Sequence, residues 1–237
     1  MLYTFKALSA LLSYPTEDIR AAADELQKKL HDEAILPLWA LRQIDELIGE
    51  YRTLDLYELQ ERYVFLFDRT RSLSLHLFEH VHGESRDRGQ AMVDLKTLYS
   101  EGGLEIDSSE LPDFLPLFLE FLATRPVAEA RELLSEPLSV IAAIKERLGK
   151  RRTAYVAVFR ALEAIAGQEA SQKELNDLRN APDDDPNDLE ALDAVWEDQP
   201  VTFGPSEDAC PKVSNMLERM KAGESPATLA KAARGTL

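Results

Sequence analysis

From its second residue the chain repeats apolar side chains at helical spacing, and almost nowhere does it alternate as a strand would. Leu2, Phe5, Leu8 and Leu12 open the pattern, and Pro15 stops it. Thr16 then stands where an N-cap belongs, with Asp18 in the first turn of a second helix through Ile19, Ala22, Ala23, Leu26 and Leu30. A third helix follows Pro37 through Leu41, Ile44, Leu47 and Ile48. A fourth begins near Asp55, with Leu56, Leu59, Tyr63, Leu66 and Phe67 on one side and Glu58, Glu61 and Arg62 on the other. Helix formers dominate and β-branched residues are sparse. The chain is therefore expected to be all-α, a single bundle of about eight to nine helices joined by short polar breaks.

The later elements follow the same logic. Leu75 to Leu98 reads as one or two helices with Gly83 and Gly89 as weak points, and Gly102-Gly103 as a stop. Ser109 is expected to cap a very apolar helix from Glu110 to Ala123, within which Pro116 should kink or delay the helix. Pro126 breaks the chain, and Val127 to Leu148 and Arg151 to Ala166 read as two further helices. These elements place a helical domain at 1–168. Residues 169–210 carry thirteen acidic against two basic residues, a net −11 of the −16 of the whole chain. Residues 169–237 are accordingly read as an acidic, partly disordered linker and tail, with Ala181 to Asp188 as the disordered stretch. Within it Leu192, Val195, Trp196, Val201 and Phe203 form an apolar patch expected to dock back on the body.

Charge and composition exclude several functions. A net charge of −16 repels phosphate backbones and anionic membranes, so nucleic-acid binding and membrane insertion are not expected; the charge either only keeps the protein soluble or suits a basic peptide as partner. Cys210 is the single cysteine, which rules out an intrachain disulfide and a Cys-rich metal site. No apolar run reaches membrane-spanning length, and the first fifteen residues lack a basic n-region, so a cytoplasmic protein is expected.

Three constellations could carry chemistry. His76, Glu79 and His80 match the H-x-x-E-H pattern of a zinc peptidase class; on one helix the two histidines would share a metal and Glu79 would act as base. No third ligand stands out, so the zinc-dependent hydrolase is the alternative function, set against histidines that only hydrogen-bond within a groove. Gly83 to Gln90 has alternating charges between two glycines and reads as a salt-bridged turn at a helix start. The third is the 110–123 segment. Its apolar residues surround the helix, and Glu110, Asp113 and Glu120 would form one acidic stripe, either the one wet edge of a buried helix or a seat for a basic amphipathic helix laid in a groove.

Two stretches carry a family resemblance. Tyr63-Val64-Phe65-Leu66-Phe67-Asp68-Arg69, with the run from Ser72 through His76-Leu77-Phe78-Glu79-His80-Val81-His82-Gly83-Glu84 to Met92, resembles the NarJ-type chaperones of respiratory nitrate reductase. Glu110-Leu111-Pro112-Asp113 with Leu115-Pro116-Leu117 is similar to a motif of the wider TorD-like family, although Phe114 stands where that motif often has histidine. The resemblance implies an all-α bundle that is not an enzyme and carries no cofactor of its own. It implies binding to the N-terminal segment of the catalytic (alpha) subunit of nitrate reductase, support for molybdenum cofactor insertion before membrane docking, and molybdenum cofactor biosynthesis proteins as further partners. The peptide-binding surface is expected at Tyr63, Phe67, Phe78, His82, Glu84, Arg88, Glu110, Asp113, Phe114, Phe118 and Glu120.

Overall fold

The structure, a computed structural model, describes residues 1–82, 86–106, 110–181, 183, 185, 187 and 188. The expected patch from Leu192 to Phe203, the mooted cap Ser109 and the expected site residue Glu84 lie outside them. Among the described residues the fold is all-α, with twelve α-helices, one π-turn and one 3₁₀ turn, and no strand, only an isolated bridge. The excess over eight to nine comes from two breaks that periodicity does not show and from one helix beyond residue 168. The segment Ile19 to Leu30 is two helices, α2 (Glu17–Ala21) and α3 (Ala23–Glu33), and Val127 to Leu148 is parted before Pro137.

Helix α1 (Tyr3–Leu12) buries Phe5, Leu8, Leu11 and Leu12. Its first turn is capped from a distance: the Glu33 carboxylate accepts from the Tyr3 and Thr4 amides at 3.0 and 2.6 Å. Its last carbonyls take tyrosine hydroxyls, Tyr51 on Leu11 (3.3 Å) and Tyr63 on Leu12 (3.0 Å). Because Tyr51 spends its one proton on Leu11, the 3.1 Å contact to Tyr155 must have Tyr155 as donor. Tyr51 lies on α4 (Leu38–Thr53), which follows Pro37, and Tyr63 ends α5 (Leu56–Tyr63), whose cap Asp55 accepts from the Tyr57 amide at 2.8 Å.

Past α5 the chain widens into a π-turn over Val64–Asp68, closed by the Arg69 amide on the Val64 carbonyl, and a single 3₁₀ turn over Arg71–Leu73. Two further helices, α6 (Glu79–His82) and α7 (Arg86–Glu101), replace the expected run. Helix α7 continues through Gly89, so Gly83 to Gln90 is not a single charged turn. It stops at Gly102-Gly103, where φ of Gly103 is +79°; a Cβ on Gly102 would lie 2.6 Å from the Phe121 ring.

The central helix α8 spans Leu115–Ala123, not Glu110 to Ala123. Pro116 decides this. It has no N–H to give to a preceding turn, so it is stable only where those donors are orphaned, at the helix start. Helix α8 runs antiparallel to α1: the Leu2 amide donates to Ala123 (2.7 Å) and the Ser9 hydroxyl to Pro116 (2.8 Å). Around this pair stand α9 (Val127–Ser135), α10 (Leu138–Lys150) and α11 (Val156–Ala166), the last ended by Gly167 at φ +64°. Helical structure then continues past residue 168. Helix α12 (Gln172–Arg179) seats Leu175 against Ala142 and Ala143 of α10, and Arg179 meets Glu146 at 2.5 Å. Within the stretch expected to be disordered, Asp183 is held by Arg151 at 3.2 Å.

Candidate functional site

The residues between the π-turn and α6 form a strap, Thr70–Phe78, that crosses the connection into α8. Antiparallel bridging of His76 with Phe114 joins them: the Leu77 amide donates to the Asp113 carbonyl (3.0 Å) and the Leu115 amide to the Leu75 carbonyl (2.8 Å). Asp113 is the knot. It is 0% exposed; one carboxylate oxygen accepts from the Phe78 amide at 3.1 Å and the other contacts His76 Nδ1 at 3.1 Å. Burial pulls the His76 imidazole down, but the hydrogen bond and charge of Asp113, with Glu79 and Glu110 adding, outweigh it and leave the pKa above the ordinary value. Tyr99 fixes the same connection by donating to the Pro112 carbonyl at 2.8 Å.

Asp113 therefore belongs to no acidic stripe. Glu110 and Asp113 precede α8, and only Glu120 stands on it, exposed. The zinc reading loses its premise for a related reason. His76 sits in the bridge and not on a helix with His80, which lies on α6. Its Nδ1 is engaged by Asp113, and His80 Nε2 donates to the Ser74 carbonyl at 2.8 Å. Burial holds His80 below the ordinary histidine range. Among the described residues no three His, Cys, Asp or Glu side chains are grouped so as to hold a metal ion.

Beside the strap lies an open pocket of about 430 Å³ between the α1–α2 turn, the π-turn and the residues before α8. Tyr14, Tyr63, Phe67 and Phe114 supply aromatic walls, with Leu75 and Ile19 completing the apolar lining. The rings interlock: Tyr63 packs edge-on to Tyr14 at 5.6 Å and lies 5.0 Å from Phe67, and Phe114 covers His76 at 5.3 Å. Asp68 and Glu110 bring two carboxylates to the rim, and among the described lining residues only His76 can carry positive charge. Burial and then the Glu110 charge push the Asp68 carboxyl up, while His76 pulls it back. Two carboxylates that repel each other beside aromatic faces favour a cationic guest.

Of the residues expected at the peptide surface, Tyr63, Phe67, Glu110 and Phe114 line this pocket. Phe78, Asp113 and Phe118 lie buried beneath it or within α8. Arg88 is on α7 and pairs with Glu79 at 3.2 Å. His82 ends α6, and its side chain lies outside the described residues. Sequence reasoning missed Ser13, Tyr14, Thr16, Ile19, Asp68 and Leu75 as lining residues, and weighed His76 as a metal ligand or a histidine hydrogen-bonded within a groove, not as part of the peptide surface. Nothing along the chain marks the first four; they arrive because α1 packs on α8.

Residues 15–161 match the nitrate reductase delta subunit family. The chain is 40% identical over 201 residues to the nitrate reductase molybdenum cofactor assembly chaperone NarJ of Escherichia coli K12, covering 83% of each. It is 34% identical over 165 residues to the NarJ of Bacillus subtilis strain 168, covering 68% of this chain and 86% of that one. Among solved structures it shares its fold with a redox enzyme maturation protein from Archaeoglobus fulgidus, at a TM-score of 0.53 and 23% identity, covering 71% of this chain and 94% of that one. No helix among the described residues is long and apolar enough to cross a membrane.

Proposed function

The chain belongs to the nitrate reductase delta subunit family, and from that premise we propose that it is a non-catalytic chaperone for molybdenum cofactor assembly of nitrate reductase. It acts by holding the N-terminal segment of the catalytic subunit while the cofactor is inserted and before the subunit docks at the membrane. The observation that carries this reading is the pocket of Tyr14, Tyr63, Phe67 and Phe114 with Asp68 and Glu110 at its rim. An amphipathic segment with a basic side chain can lay its apolar face on the rings and its cation beside the carboxylates. The acidic body supports the same choice, because it steers a basic client and repels nucleic acid.

Calorimetric titration with a synthetic peptide copying the N-terminal segment of the cognate catalytic subunit tests the proposal. Saturable binding is expected, weakened by about 1–2 kcal/mol in Phe114→Ala, which removes an aromatic wall. Asp68→Asn and Glu110→Gln should each cost only roughly 0.5–1 kcal/mol, because both carboxylates are exposed to water. A parent chain that gives no saturable heat, or a Phe114→Ala variant that binds as tightly as the parent, would overturn it.

A further inference from the structure

The strap that forms one wall of the pocket holds itself poorly. Its internal backbone bonds are those of one 3₁₀ turn, Leu73 to Thr70 and Ser74 to Arg71. The groups that fasten it come from elsewhere, and one of them has a wider reach. Arg147, on α10, is only 5% exposed, and its guanidinium spans two elements. Nη1 donates to the Ser72 carbonyl of the strap at 2.8 Å, while Nη2 donates to the Leu178 carbonyl at 2.9 Å and the Ala181 carbonyl at 3.4 Å. Leu178 lies in the last turn of α12 and Ala181 two residues past its end; the Leu178 carbonyl lacks an i+4 amide and takes the Ala181 amide at 3.3 Å beside the guanidinium. A second tie lies beside the first: the Ser72 hydroxyl donates to Asp183 at 3.1 Å, and Arg151 holds the same carboxylate.

We propose that Arg147 is a positioning residue for the client pocket and that α12 is part of the same clasp. The guanidinium joins strap to α12, so the seating of α12 sets the strap that brings Leu75 and His76 to the pocket wall. This inference rests on the reading of the pocket as the client site. A planar guanidinium suits the task because its donors point in fixed, divergent directions; a lysine ammonium is a point charge and cannot satisfy Ser72 and the end of α12 in the same arrangement.

Two variants of the full chain test it by different routes. Arg147→Lys removes the fork. Leu175→Asp places a charge where α12 is seated on Ala142 and Ala143, lifting the helix without touching Arg147 or the strap. Hydrogen exchange of the unliganded chain should rise at residues 73–78 in both variants. Affinity for the synthetic N-terminal peptide should fall by about three- to thirtyfold in both, the range of such indirect couplings. The double variant should bind little worse than the weaker single one, because both break one linkage. Exchange that rises only within residues 172–181, with peptide affinity equal to the parent's, would overturn the clasp. If Arg147→Lys does not fold, Leu175→Asp alone decides by the same two readouts. A parent chain that binds no peptide would overturn the client reading, and the exchange result would still decide whether α12 sets the strap.

Discussion

The α1–α8 pair and the strap beside it are held by opposite means. Helices α1 and α8 meet through Phe5, Leu8, Phe118 and Leu122, all buried, with two backbone-directed hydrogen bonds at the ends of the contact. The strap has apolar residues too, but its course is dictated by polar groups: Asp113 on Phe78 and His76, His80 on Ser74, and Arg147 on Ser72. Burial of apolar area has no direction, so the helix pair tolerates some shift at a graded cost. Hydrogen bonds in a dry site have direction and lose most of their value when bent. The wall of the pocket is thus built from the more exacting of the two kinds of contact, which suits a surface that must keep one shape for its client.

The sharpest way to break this contrast begins in the helix pair. Phe118→Ala should cost about 3–5 kcal/mol in chemical denaturation, the usual range for emptying a packed aromatic site. Peptide affinity of the folded fraction should stay near the parent's. A large loss of affinity at temperatures where the variant is folded would show that the two regions are one unit.

Asp113→Ala should cost less stability, about 1–3 kcal/mol, chiefly because the Phe78 amide is left buried without its acceptor. It should nevertheless weaken peptide binding more than Phe118→Ala does, since His76 and Phe114 lose their register. Asp113→Asn keeps one acceptor and should recover part of both. If Asn and Ala prove equal in denaturation and titration, the hydrogen bond to Phe78 is not what holds the strap.

The smallest expected effect is on the pH dependence of stability. The folded His76 pKa is raised, so its contribution is fully present below the ordinary histidine value of about 6.5 and is lost as pH rises through the folded value. His80, held low by burial, works in the opposite sense and penalises the fold as pH falls. The difference between the parent and His76→Gln isolates the first term. That difference should be largest at mildly acid pH and shrink above neutrality; growth with rising pH would contradict the assigned pairing.

The sequence by itself determined the class of the fold, the breaks at Pro15, Pro37, Pro126 and Gly102-Gly103, and the near-total burial of α8, because helix propensity, periodicity and the missing N–H of proline act over a few residues. It also carried Tyr63, Phe67 and Glu110 of the pocket through the resemblance of their motifs, and Phe114 as the departure from one of them. Pro116 left open a kink or a delayed start of that helix, and only the Asp113 carbonyl and carboxylate, bonded to the strap, decide for a start at Leu115. For the same reason the Glu110–Asp113–Glu120 stripe and the shared helix of His76 and His80 were legible as patterns and absent as geometry. Helix α12 was hidden by its polar composition: Leu175 and Leu178 are its only apolar residues, and the small side chains of Ala142 and Ala143 opposite make room for Leu175. Tyr14 and Ile19 reach the pocket, and Arg147 reaches Ser72 from 75 residues away, solely through tertiary packing. Local spacing sets the elements; which polar groups end up facing one another in the dry interior depends on how those elements pack, and no spacing rule along the chain encodes that.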